Sequence, residues 1–153
     1  MGDRKYFIKK GISFLETLGT IIAESSLYET TPIGMDKSAN NFINSVVALE
    51  SKIEPEKLLT KIKHFESSMG RDTKKSHMMS RRIDIDIVFV ENRIINTFTL
   101  KVPHPEAVNR EFVLEPLAEI FPEYIHPVYG IQISELLRKL KRDKNAKSEK
   151  EHP

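Results

Sequence analysis

The chain has no cysteine among its 153 residues. That excludes a disulfide framework and zinc sites built on thiolates. No apolar run approaches the ~18 residues a membrane-spanning helix needs. The opening "MGDRKYFIKK" lacks the apolar stretch of a secretory signal, and position 6 is not the Ser or Thr of an N-myristoylation site. The expected location is therefore the cytoplasm. Glycine is scarce: the six glycines (2, 11, 19, 34, 70 and 130) form no cluster, and no G-x-x-x-x-G-K-[ST] is present. Nucleotide phosphates, if bound, must be held by metal and side-chain cations. A strong charge of one sign is absent too, since the net charge is +2. From Arg138 onward there are seven basic and three acidic residues, which leaves 17 basic and 19 acidic residues in the body. A basic face for nucleic acid is not indicated. The tail "KRDKNAKSEKEHP" reads as a solvated, frayed terminus, with RNA binding as its minor alternative.

With 39% hydrophobic residues, the chain has the size and composition of one ordinary domain, expected over 1–140, followed by a charged tail over 141–153. The spacing predicts a helix in "DRKYFIKKGISFLETLG", with Asp3 as N-cap and Gly19 as stop. Strands follow in "TIIAESSLYET" and "NFINSVVALES", separated by the turn-rich "TPIGMDKSAN". "EPEKLLTKIKHFESSMG" predicts a helix opened by Pro55 and closed at Gly70. A cationic loop, "RDTKKSHMMSRR", leads into "IDIDIVFV", whose alternation predicts a strand. "IINTFTLKV" reads as a short strand, "PHPEAVNREFVLEPLAEIFP" as two short helical turns, and "GIQISELLRKL" as a last helix.

The strand places Asp84 and Asp86 on one face, their Cα atoms about 6.5–7 Å apart. Two carboxylates so close repel unless solvent, basic side chains or a divalent cation intervenes. Mg²⁺ suits such a pair because it takes oxygen ligands, keeps waters and shares its sphere with substrate phosphates. A bare D-x-D is more commonly a solvated strand end pairing loosely with Arg81 and Arg82, so the motif alone is weak. Arg71, Lys74, Lys75, Arg81, His104 and Arg110 are candidate phosphate partners, Arg by its planar fork and His by one hydrogen bond. In "NFIN", Phe42 and Asn44 share a strand face, where a ring stacks on a heterocycle and an amide reads its edge. Without further context, a core Phe beside a turn-favouring Asn is the simpler reading.

Taken together, "SSLYETTPIG", "NNFINSVVAL", "FESSMGR", "RRIDIDIVF" and "VPHPEAVNREFVLEPLAEI" resemble the 6-hydroxymethyl-7,8-dihydropterin pyrophosphokinase family in order and spacing, over roughly residues 1–140. The resemblance implies an α/β (α+β) fold with a ferredoxin-like βαββαβ core. It implies transfer of pyrophosphate from ATP to the pterin hydroxymethyl group, releasing AMP, in folate biosynthesis, with two Mg²⁺ ions. Asp84 and Asp86 resemble the metal-bridging pair; Arg81 and Arg110 are expected to steady the transferring group, and Arg71 is counted with them among the catalytic residues. Phe42, Asn44 and Phe112 resemble the pterin pocket, completed by Thr30, Thr31, Pro32 and Ile33. Glu66, Arg71, Arg81, Ile87, Lys101, His104 and Arg110 match positions lining the ATP side. ATP and the hydroxymethyl dihydropterin are the implied partners, without membrane or nucleic acid, and a monomer is the default expectation.

Three features depart from that family. It opens with an apolar strand and a Gly-Ser-Asn turn before "LGDR", whereas this chain begins at "MGDR". The first strand is thus expected to be missing here, with the true start about ten residues upstream or the copy damaged. Met78 and Met79 stand where an aromatic and a small residue are usual, and Thr73 where Arg is common. These put affinity and rate in question more than reaction type. The competing readings are a catalytically dead homologue acting as a binding module and, from fold and tail alone, a nucleic-acid-binding domain without an RNP1-like aromatic sequence.

Overall fold

The computed structural model describes residues 2–30, 42–70 and 83–151, with side chains described for 4–30, 42–70 and 83–146. It is a mixed α/β structure of four helices and short strands. The chain divides into two compact units, Met1–Ile87 and Val88–Pro153.

In the first unit, α1 (Gly2–Glu16) starts one residue before Asp3, so that residue lies inside the helix and is not its N-cap. Helix α2 (Pro55–Gly70) has the bounds its proline and glycine predict. The rings of Phe14 and Phe65 stack with centroids 4.3 Å apart and planes 6° from parallel, fastening α1 to α2. Leu15 and Ile62 are buried.

Each of the two expected strands is broken in two. The first becomes β1 (Thr20–Glu24) and β2 (Tyr28–Thr30), the second β3 (Phe42–Asn44) and β4 (Val47–Glu50). β1 pairs antiparallel with β4 from Thr20↔Glu50 to Glu24↔Val47, and β2 pairs with β3 from Tyr28↔Asn44 to Thr30↔Phe42. Two serines cause the break. Buried Ser25 bonds through its backbone N–H to the Val46 carbonyl and through its hydroxyl to the Val46 N–H, both at 2.9 Å. Its hydroxyl also lies 3.2 Å from that of Ser45. A side-chain oxygen therefore takes a donor that would otherwise join the ladder, the competition that makes serine a strand and helix interrupter.

Gly19 is required where α1 turns into β1. A Cβ there would stand 2.1 Å from the Glu50 carbonyl oxygen, so only glycine admits this close backbone approach.

In the second unit, β5 (Ile95–Asn96) and β6 (Lys101–Val102) form a hairpin closed by the Thr97 N–H on the Leu100 carbonyl at 2.9 Å. A 3₁₀ turn (Ala107–Asn109) then leads into α3 (Glu111–Ile120), matching the two helical pieces expected there. Leu114, Leu117, Ile133 and Leu136, from α3 and α4 (Ile133–Glu151), are buried. The segment expected as a frayed tail continues α4 to Glu151, with residues 141–146 exposed. Lys, Arg and Glu are good helix formers, and Lys141 pairs with Glu115 at 3.4 Å and Lys144 with Glu111 at 3.7 Å, tying this stretch to α3. No helix among the described residues is long and apolar enough to cross a membrane.

Candidate active site

Residues 83–87 alternate in burial as a one-sided extended segment does: Ile83, Ile85 and Ile87 are half-buried, Asp84 and Asp86 exposed. The apolar side faces α1. A Cβ added at Gly11 would meet Ile83 Cδ1 at 2.7 Å and Ile85 Cδ1 at 3.7 Å, so the missing side chain on α1 makes room for the isoleucines. The expected face pattern holds, but the expected strand is not seen: residues 83–90 pair in no ladder among the described residues. The backbone is bonded otherwise. Ile85 donates its N–H to Glu66 Oε2 at 2.6 Å, and Val88 accepts the His104 N–H at 2.8 Å.

Glu66 projects from the last turns of α2, its side chain 8% exposed and paired with Lys63 at 3.4 Å. Sequence reasoning placed Glu66 among residues lining the nucleotide. In the structure its carboxylate grips the main chain at the residue between the two aspartates. This is a charge-assisted bond to a fixed donor, stronger than a neutral one.

Phe42 opens β3 and is 49% exposed, with Thr30 as its cross-strand partner. Asn44, two residues on, is half-buried, and its Nδ2 lies 3.5 Å from Thr30 Oγ1. Thr30, Phe42 and Asn44 are thus brought together. The structure offers an exposed aromatic ring and, on the same strand, an amide whose Nδ2 faces the Thr30 hydroxyl. Thr31, Pro32, Ile33, Arg71 and Arg81, with Thr73, Met78 and Met79, lie outside the described residues.

In the second unit, His104 Nδ1 accepts the Glu106 N–H at 3.2 Å. In the neutral ring this commits Nδ1 as acceptor and leaves the proton on Nε2, which can donate to an anion. Arg110 is the N-cap of α3, and its guanidinium carbon lies 5.7 Å from the centroid of the Phe112 ring. Phe112 is 39% exposed in the first turn. Pro116 lacks the N–H that would bond the Phe112 carbonyl in an unbroken helix. Arg110 and Phe112 therefore stand at the electropositive end of α3. Lys101, on β6, is exposed. An open concavity lined by Phe14, Leu18, Lys61, His64, Phe65 and Ser68 contains none of these residues.

Comparison with known proteins finds relatives over most of the chain. The profile of the 7,8-dihydro-6-hydroxymethylpterin-pyrophosphokinase (HPPK) family matches residues 1–122. A 2-amino-4-hydroxy-6-hydroxymethyldihydropteridine pyrophosphokinase of Aquifex aeolicus is 38% identical over 135 residues, covering 88% of this chain and 83% of its own length. The Bacillus subtilis protein of the same description is 35% identical over 122 residues, 78% of this chain and 72% of its own. A folic acid synthesis protein of Pneumocystis carinii is 36% identical over 141 residues, which is 92% of this chain but 19% of that longer protein.

Proposed function

This chain belongs to the 7,8-dihydro-6-hydroxymethylpterin-pyrophosphokinase family, and from that premise we propose how its residues divide the work. The chain is a pyrophosphokinase of folate biosynthesis and uses ATP. Its mixed α/β architecture is read as the ferredoxin-like core of that family.

Asp84 and Asp86 are the proposed holders of two Mg²⁺ ions. The donor set fits: two exposed carboxylates share one face, and among the described residues no group of three or more His, Cys, Asp or Glu side chains forms a protein cage. Mg²⁺ is usually held this way, by one or two carboxylates with water and substrate phosphates completing the sphere. When bound, it supplies neutralisation of phosphate charge and acidification of a nearby hydroxyl.

The other residues bind and orient. Phe42 and Phe112 offer stacking faces to the pterin, Asn44 reads its edge, and Thr30, Thr31, Pro32 and Ile33 are assigned to the same substrate. Glu66, Ile87, Lys101 and His104, with Arg71, Arg81 and Arg110, line the nucleotide side. There His104 Nε2 and the guanidinium forks donate to phosphate oxygens. The pterin hydroxyl gives up its proton to Asp86 or to water and attacks the β-phosphorus in line, the bond from that phosphorus to the α-phosphate oxygen breaks, and AMP departs with that oxygen. Most of the acceleration comes from positioning and fixed charge.

The observation that carries this reading is the burial alternation of residues 83–87, which turns both carboxylates outward from α1. It is tested by following ATP, 6-hydroxymethyl-7,8-dihydropterin and Mg²⁺ by phosphorus NMR with the unaltered protein and with Asp84→Asn and Asp86→Asn. AMP and pterin diphosphate are expected from the first and negligible turnover from the variants. Release of ADP, or undiminished turnover in either variant, overturns the scheme.

A further inference from the structure

Arg4 stands in the first turn of α1, where a cation opposes the positive end of the helix dipole. Helix stability therefore gives no reason for a positive charge there. Its guanidinium carbon lies 5.6 Å from the centroid of the Phe42 ring, within the ~6 Å range of a cation–π contact. The pairing recurs in the second unit, where Arg110 lies 5.7 Å from Phe112. Both rings assigned to the pterin thus carry a guanidinium. Phe42 needs such a hold more than most rings, because it is 49% exposed at the end of a three-residue strand. Packing alone fixes its rotamer weakly.

We infer that Arg4 is a positioning residue for the pterin: its cation covers one face of the Phe42 ring and holds the ring so that the opposite face is presented to the substrate heterocycle. The inference rests on the reading of Phe42 as a pterin-binding residue. A ring already held in place loses less freedom on stacking, so Arg4 acts on pterin affinity and not on phosphoryl transfer.

The test is steady-state kinetics on the full chain with Arg4→Met, Arg4→Lys, Phe42→Leu and the double variant Arg4→Met/Phe42→Leu. Arg4→Met keeps an apolar stem and removes the charge. It is expected to raise the pterin KM about two- to fivefold, with kcat and the KM for ATP unchanged. Arg4→Lys, which keeps a cation, should fall between Arg4→Met and the unaltered protein. In the Phe42→Leu background, Arg4→Met should add nothing, because the ring it acts through is gone. An unchanged pterin KM in Arg4→Met, or the same increment with and without the ring, overturns the inference. A pterin KM unaffected by Phe42→Leu itself instead overturns the assignment of the pterin site. Melting temperatures of all four variants separate these outcomes from loss of fold.

Discussion

The Glu66 carboxylate accepts the backbone N–H of Ile85 at 2.6 Å, and Ile85 is the residue between Asp84 and Asp86. One buried side chain on α2 therefore sets the height and tilt of the segment that carries both proposed metal ligands. Glu66→Ala leaves that N–H without its partner, a loss of about 1–3 kcal/mol. It also frees the aspartates to move, and removing such outer support typically weakens metal affinity about 10–100-fold. Glu66→Gln keeps an acceptor oxygen and should lose much less of both. Thermal melts and Mg²⁺ titrations of turnover check this, and an unchanged Mg²⁺ half-saturation in Glu66→Ala would falsify it.

Asp84 and Asp86 behave in the opposite way. Both are exposed, so Asp84→Asn and Asp86→Asn should change stability by no more than about 0.5 kcal/mol. Turnover should nonetheless fall at least about a hundredfold, and chelation of Mg²⁺ should abolish it in the unaltered protein. A variant that loses activity and stability together would mark the pair as structural.

Much of this arrangement is legible in the sequence, and the rest is hidden for identifiable reasons. Pro55 and Gly70 mark the ends of α2, and the alternation of Ile83 to Ile87 shows which face carries the acids. Alternation does not show what bonds the backbone. The partner of the Ile85 N–H is a side chain nineteen residues earlier in sequence, so a predicted strand has no ladder among the described residues. The serine break is hidden likewise, since "ESSLY" and "INSVV" alternate well enough while the Ser25 hydroxyl diverts the Val46 N–H. The helix beyond Leu140 carries ion pairs to α3 that charge counting alone does not reveal. Arg4 was readable in principle, as a basic residue at the helix end that disfavours it.

His126 gives the fold a pH dependence of definite sign. The residue is 3% exposed, and burial lowers its pKa below the usual histidine value. Its Nδ1 accepts the N–H groups of Val128 at 3.1 Å and Tyr129 at 3.3 Å, and its ring meets Phe89 edge-on. A protonated ring cannot accept those bonds. The unfolded chain takes up the proton near pH 6.5, the folded chain only at lower pH. Between those values the unfolded state binds more protons, so stability rises with pH. The contribution is complete above about pH 6.5 and is lost as the pH falls through the folded pKa. His126→Asn keeps an acceptor near the Nδ1 position without a titrating ring. Urea midpoints at about pH 7.5 and about pH 5.5 should differ more in the unaltered protein than in this variant. Equal pH sensitivity would move the effect to another group.

Gly19 and Gly70 provide a paired test of the first unit's packing. At Gly19 a Cβ meets the Glu50 carbonyl oxygen at 2.1 Å and Ser51 Cα at 3.1 Å, both main-chain atoms. Neither can withdraw freely, because Glu50 is paired with Thr20 and the Ser51 hydroxyl donates to the Leu18 carbonyl at 2.7 Å. Gly19→Ala should therefore cost about 1–3 kcal/mol or more, a melting-temperature loss of roughly 2–4 °C per kcal/mol at this chain length. At Gly70, the last residue of α2, a Cβ meets nothing among the described residues within 4 Å. Gly70→Ala should be neutral or slightly stabilising, since alanine restricts the unfolded chain. Neither glycine is assigned to substrate or metal, so kcat per folded molecule should stay unchanged in both. Equal melting temperatures for the two variants would mean that β1 and β4 can shift apart to admit a methyl group, and that the Thr20–Glu50 end of the ladder is looser than its hydrogen bonds imply.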